Sequence, residues 1–513
     1  MTTSTVHKQF IPTVRMAVYG ALVALATQLG PGYQSAYAFS FDGDPNSGSI
    51  LLTTSAGASG GGEVIWLKHD SVSGIQGTGN NFNVSGDGGV ADFPTSLAVG
   101  NFDGDNNGDI LVGRSGGDLG YGAGLTTWVE RSGASLTGVH NFTTTPVNSM
   151  AIGELGDGGF DDVIVGRDDG WITWLLKANG SDAITANHTF NQGAVSAVAI
   201  GNFDGDDNGD VLVAKPAPTA LTSNWTERNS GDTLSGIHNF NVSSANSIAM
   251  GEPDGEGVDD AFIGRDDGWI TWIHKNPTTD QITANSSGGN YNAGGVVDLA
   301  FENVQTGDPF EDLFGDLFVA RPNGTVLWIQ TDAVNRNMGA IDTITAAGAG
   351  SALTAIDAGD LDGDDDVDIV VGRSDGGGSS GSVGWYEVTD TGGQFELVER
   401  QQFFNVGAPV TDLQITPPGD EVISISGDYN GDGTVNAADY TAYQDSVGVI
   451  HDFPGRNPAL SGTPVGPDDY SYWKDRFGNV AGTGSGAAVP EPASVVLLLA
   501  MMALVAPYQR CAR

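Results

Sequence analysis

The sequence predicts an all-β fold, a seven-bladed β-propeller, followed by a small α-helical module. Three observations predict it. A short apolar strand runs into a loop of acidic and amide residues six times, and a degraded seventh copy comes before them. The loops start at Ser40, Asn101, Glu154, Asn202, Glu252, Asn303 and Asp360, at intervals of 61, 53, 48, 50, 51 and 57 residues. Four strands of ~6 residues with their turns need about this length. Each repeat also holds one tryptophan 20 to 27 residues after its start: Trp66, Trp128, Trp174, Trp225, Trp272, Trp328 and Trp385. Finally, Val410-Thr-Asp-Leu-Gln-Ile415 repeats the strand that precedes each loop, with no acidic loop behind it.

The elements follow in chain order. The strands ahead of the loops are regular, as in Val195 to Ile200, Ala245 to Met250 and Val296 to Phe301. The first repeat lacks this strand, so Val410 to Ile415 is expected to complete blade one and close the ring, which removes open sheet edges. Most of the tryptophans sit in strand-like runs such as Gly62 to Leu67 and Gly324 to Ile329, and are expected to pack between blades. Repeats at 101 and 202 resemble each other, as do those at 154 and 252. In the second pair, Gly166-Arg-Asp-Asp-Gly-Trp171-Ile-Thr-Trp174 matches Gly264-Arg-Asp-Asp-Gly-Trp269-Ile-Thr-Trp272. A two-blade unit has duplicated. Trp171 and Trp269 follow Asp-Asp-Gly turns and lie three residues from the repeat tryptophan, on the opposite strand face. They are the ligand-binding candidates, with a sugar as the expected ligand.

The loops carry the chemistry. Oxygen-bearing side chains at every second position wrap one hard cation, and calcium takes six to eight oxygens. The three cleanest loops hold Asn101, Asp103, Asp105, Asn107 and Asp109; Asn202, Asp204, Asp206, Asn208 and Asp210; and Asp360, Asp362, Asp364, Asp366 and Asp368. The loop at 252 offers Glu252, Asp254, Glu256 and Asp260. The loop at 154 has Gly156 and Gly158 where ligands belong, the loop at 303 carries an insertion, and the first ends in Ser49. Residues 39–416 thus resemble the FG-GAP/VCBS repeats of bacterial surface proteins, which are similar to the integrin alpha-chain propeller. The resemblance implies side-chain ligands at loop positions one, three, five and nine and a backbone carbonyl at position seven. It implies calcium in three or four blades.

Residues 417–426 read as a linker. Then Asp428, Asn430, Asp432, Thr434, Asn436 and Asp439 are spaced as in an EF-hand-type loop, with Gly433 at position six. Residues 427–479 resemble a dockerin, a resemblance that implies one more calcium and a cohesin-like partner. The second half places Asp469 under Asp439 but has Pro458, Leu460 and Gly462 at the other ligand positions. Only the first half is expected to bind an ion.

The ends and the charge bound the setting. Residues 1–38 read as a signal peptide, with Lys8 and Arg15 ahead of an apolar run and Ala36-Tyr-Ala38 as a cleavage site. After a Gly/Ser-rich linker at 480–488, residues 489–513 resemble a PEP-CTERM sorting tail. The resemblance rests on Val489-Pro-Glu-Pro492, a short hydrophobic helix and Arg510 and Arg513. It implies an exosortase-type processing protease. The chain is expected to be exported, at the cell envelope or outside, with a transient or permanent C-terminal anchor. The whole chain carries 64 acids against 20 bases, a formal −44, which repels nucleic acid. Cys511 is the only cysteine, so disulfides do not hold the fold.

No nucleophile elbow, zinc-ligand spacing or phosphate loop is present. His140, His188 and His238 occupy equivalent repeat positions and read as structural. The expectation is therefore not an enzyme but a non-catalytic binding or adhesion module at the cell surface or matrix, for a protein or polysaccharide. The alternative is a carbohydrate-active enzyme or a component of a dockerin-linked polysaccharide-degrading assembly.

Overall fold

Seven antiparallel sheets form in the computed structural model, one for each tryptophan counted in the sequence. The structure describes residues between 41 and 416 and between 429 and 476, with interior segments of both left out. Residues 1–40, 417–428 and 477–513, which include the expected signal, linkers and sorting tail, lie outside the described residues. Among the described residues, no helix is long and apolar enough to cross a membrane. The chain divides into two units, Met1–Gly419 and Asp420–Arg513.

In the first unit each blade is a meander whose strands run outward from the axis. Blade seven consists of Ala352–Gly359, Asp368–Asp375, Ser380–Asp390 and Phe395–Asn405. The second strand of every blade is sandwiched between neighbouring blades and reads as an unbroken apolar run, such as Ile-Leu-Val at 110–112 or Ile-Val-Val at 369–371. A strand covered on both faces has no reason to alternate. The outermost strand of blades one and five is split in two, giving Gly74–Gly77 with Phe82–Asn83 and Gln281–Ala284 with Asn290–Asn292.

Closure is as the sequence predicts. Val410–Thr416 pairs with Ser49–Thr54, with Ile50 opposite Ile415 and Leu52 opposite Leu413, so the last strand of the ring completes the first blade. The core lies between blades. Seven apolar clusters fill the seven junctions; the one across the closing junction packs Ile50, Leu52 and Ile65 against Val370, Val383 and Trp385. All seven repeat tryptophans are buried, at 6% exposure or less.

The second unit is small. Tyr429, Val435, Tyr443, Val465 and Trp473 make its core beside the helix Pro467–Lys474, and Val447 bridges Val465 in parallel.

Candidate metal centre

A loop between the first and second strands of a blade must cross one face of the ring. In blade seven this loop is Asp360 to Asp368, and it is short enough that its carboxylates converge. Asp360, Asp362 and Asp368 can each offer an oxygen within 4.8 Å of the others, and so can Asp362, Asp364 and Glu387. Asp362 belongs to both groups. The loop turns on its own side chains: Gly363 N donates to Asp360 Oδ1 at 2.7 Å and Asp366 N donates to Asp364 Oδ1 at 3.0 Å. Gly363 takes φ +83°, a left-handed conformation that other side chains resist.

Burial and mutual repulsion leave Asp362 and Asp368 reluctant to ionise. Burial and the neighbouring Asp364 raise Asp362 to about 6. Burial raises Asp368 to about 8, against the hydrogen bonds that favour its anion. A divalent cation reverses both effects by supplying the missing positive charge.

Asp368, at position nine, has a second task. Its Oδ2 accepts Leu361 N at 2.7 Å and its Oδ1 accepts the Trp385 indole N–H at 2.7 Å. The same clasp recurs. Asp109 accepts Phe102 N at 2.8 Å and Trp128 Nε1 at 2.7 Å, and Asp210 accepts Phe203 N at 2.9 Å. Asp260 accepts Trp272 Nε1 at 2.6 Å, with His274 Nδ1 3.3 Å from its other oxygen. In blade one Ser49 Oγ takes the indole of Trp66 at 3.0 Å, which is why a serine suffices there. The position-two aromatics Phe41, Phe102 and Phe203 stand edge-on or steeply inclined to the same tryptophans at 5.2, 5.6 and 5.5 Å. Loop and tryptophan are therefore one local unit, and position nine is buried as much by this clasp as by any ion.

The structure thus unites Asp360, Asp362, Asp364 and Asp368. Asp366 is exposed and outside both carboxylate groups. Asn101, Asn202 and Glu252 are half-buried at the mouths of their loops. Asp103, Asp105, Asn107, Asp204, Asp206, Asn208, Asp254 and Glu256 lie outside the described residues, as do Asp428, Asn430, Asp432, Thr434, Asn436 and Asp439. In the second unit Asp469 is held by Arg456, whose Nε and Nη2 reach its two oxygens at 2.7 and 3.1 Å. A guanidinium neutralises this carboxylate.

Glu387 escaped the sequence reading because it is 19 residues beyond Asp368 and belongs to the third strand. The register that sets Asp368 opposite Glu387 brings it in. Its carboxylate is paired with Arg400 through both oxygens.

Trp171 and Trp269 are each 38% exposed. The turns before them close with Gly170 N donating to Arg167 O and Gly268 N to Arg265 O, the glycines at φ +83° and +84°. These turns join second to third strands, so they lie on the ring face opposite the acidic loops.

No protein-family model and no curated protein matches the chain. Among solved structures it is similar to the periplasmic gluconolactonase PpgL of Pseudomonas aeruginosa, at 13% identity, over 72% of this chain and 99% of that one, with a TM-score of 0.49. A Lactobacillus plantarum protein aligns at 14% identity over 72% and 99% with a TM-score of 0.48. So does a protein assigned as a 6-phosphogluconolactonase from Bacteroides uniformis, at 9% identity over 72% and 99% with a TM-score of 0.48. The neighbours named for an activity are enzymes, and this finding goes against the expected non-catalytic adhesion module and against the expectation of no enzyme. Both are withdrawn. The propeller itself stands on its sheets; at these identities no substrate transfers to this chain.

Proposed function

We propose that this chain is an exported, calcium-loaded propeller of the FG-GAP/VCBS type, in which cations fasten the acidic loops on one face of the ring. The observation that carries the reading is the convergence of Asp360, Asp362 and Asp368 within 4.8 Å in a loop of the expected spacing. Hard carboxylate oxygens in a flexible loop suit calcium better than magnesium, which demands tighter octahedral geometry. Metal analysis of the secreted protein is expected to find about three or four calcium ions in the propeller and one in the dockerin-like module. Stripping them with EGTA is expected to lower the melting temperature by roughly 5 °C or more, because an ion bound only by the native state stabilises it by mass action. Protein that carries no calcium, or melts unchanged in EGTA, removes the reading.

A second reading rests on a separate observation. Trp171 and Trp269 stand exposed at equivalent positions on the other face, as aromatic platforms for a carbohydrate substrate do. In a carbohydrate-active enzyme, the double variant W171A/W269A should raise KM for a polysaccharide about tenfold, the loss of roughly one stacking contact's worth of affinity. If a panel of lactones, uronic-acid polymers and glycosides shows no turnover, or if KM is unmoved, this reading fails.

A further inference from the structure

Glu387 stands two residues beyond the repeat tryptophan, on the same strand face as Trp385. Comparison of that position around the ring separates the blades into two groups. The blades whose loops are complete, at 101, 202 and 360, have Glu130, Glu227 and Glu387. Each of these lies cross-strand from the position-nine aspartate, with Asp109 opposite Glu130, Asp210 opposite Glu227 and Asp368 opposite Glu387. The four blades with altered loops have Lys68, Leu176, His274 and Gln330 there. A glutamate needed only for sheet pairing has no reason to follow the integrity of a loop on another element. A glutamate that shares the loop's ion does.

The geometry of blade seven agrees. Glu387 is only 4% exposed, and its carboxylate lies within 4.8 Å of both Asp362 and Asp364. Asp362 Oδ1 is shut off from water and finds no hydrogen-bond donor among the described residues. An unsatisfied carboxylate oxygen among further carboxylates is a cost that a cation removes. Arg400 engages Glu387 from the outer strand, at 42% side-chain exposure. A carboxylate has about four lone-pair sites, so two hydrogen bonds to a guanidinium leave sites for a metal.

We infer that Glu387 is a cation ligand supplied by the third strand, binding the same ion as the loop beside it. This rests on the calcium reading above and extends it. The ion becomes a cross-link between loop and sheet, and the blades with Lys68, Leu176, His274 and Gln330 have weak sites or none.

The test compares the full chain with its E387Q variant, using calcium titration calorimetry and terbium luminescence. Terbium at these sites lies near the buried indoles that excite it, and its lifetimes in light and heavy water count the waters it retains. The variant is expected to bind calcium about tenfold or more weakly at the blade-seven site, since ligand charge sets affinity in such sites. Its terbium should gain about one water at that site as solvent replaces the lost oxygen. If the parent binds calcium and the variant binds equally well with the same water count, the inference falls and the calcium reading stands. If the parent binds no calcium, both fall. Should E387Q fail to fold, Glu387→Asp decides, by weakening one site or leaving all of them alike.

Discussion

At the scale of single residues, position nine shows how one side chain serves two purposes. Asp109 takes a backbone N–H and an indole N–H while fully buried. In blade one Ser49 takes the equivalent indole N–H with a neutral hydroxyl. Charge-assisted hydrogen bonds are roughly twice as strong as neutral ones, and an ionised group deprived of a donor loses more. Trp128→Phe and Trp66→Phe remove the same atoms from buried sites. Trp128→Phe is expected to destabilise by about 1 kcal/mol more, measured by urea unfolding in calcium. Equal losses would mean that the carboxylate gains nothing from its charge at this clasp.

At the scale of strands and turns, the blades are joined by side chains that reach the backbone of the next blade. Near the axis, Asp412 Oδ2 accepts Leu97 N at 2.7 Å, Ser96 Oγ accepts Met150 N at 2.9 Å and Ser149 Oγ accepts Val198 N at 3.1 Å. Each acceptor lies on one innermost strand and each donor on the next. On the other side of the second strand, six of the seven blades place Arg114, Arg167, Lys215, Arg265, Arg321 or Arg373 five residues after position nine, in a chain with only 20 basic residues. Arg114 Nη1 donates to Val84 O at 2.6 Å, Arg321 Nη1 to Ala293 O at 3.3 Å and Lys215 Nζ to Gln192 O, each carbonyl belonging to the preceding blade. The duplicated two-blade unit also has its own bond. Asn101 N donates to Asp161 Oδ2 and Asn202 N to Asp259 Oδ2, both at 2.7 Å, so the loops of each pair are tied together. Arg114, Lys215 and Arg321 thus tie neighbouring blades together, whereas Arg167 and Arg265 bond to Asp169 and Asp267 in the turns of their own blades.

At the scale of the whole ring, acidity has a pH signature apart from the acidic loops. Asp298, Asp357 and Asp412 lie on innermost strands, away from the loops. Burial raises Asp357 to about 8, with Asp298 and Glu302 adding repulsion. Burial and Asp298 raise Asp412 to about 7. Burial also raises Asp298. Between the ordinary carboxylate range and pH 8 the native ring retains protons that the unfolded chain has released. Stability then falls as pH rises through that window. With calcium saturating, the melting temperature should be highest near pH 5 and decline toward pH 9. The slope should be shallower in D357N/D412N, whose amide oxygens can still accept Ile415 N and Leu97 N. General repulsion at −44 acts in the same direction, so it is the difference between the slopes that tests the buried pair. Parallel slopes would clear Asp357 and Asp412 of any part in it.

Much of this was legible in the chain because repeats announce themselves. The loop spacing and the tryptophans each counted to seven, and the stray strand at Val410 closed the ring where its register said it would. The clustering of carboxylates in the loop at Asp360 was legible too, since side chains at alternate positions are local in sequence. Glu387 was not, because what brings it to Asp362 is the pairing of two strands, and pairing register is settled by packing on both faces of a sheet. Nor were Asp357 and Asp412, half-buried on innermost strands where side chains of neighbouring blades surround them. The sequence alone determined how many blades there are, where the loops fall and which residue types line them. Only the tertiary structure decided which carboxylates share one small volume and which are cut off from water, because both depend on distances between segments that the linear order does not constrain.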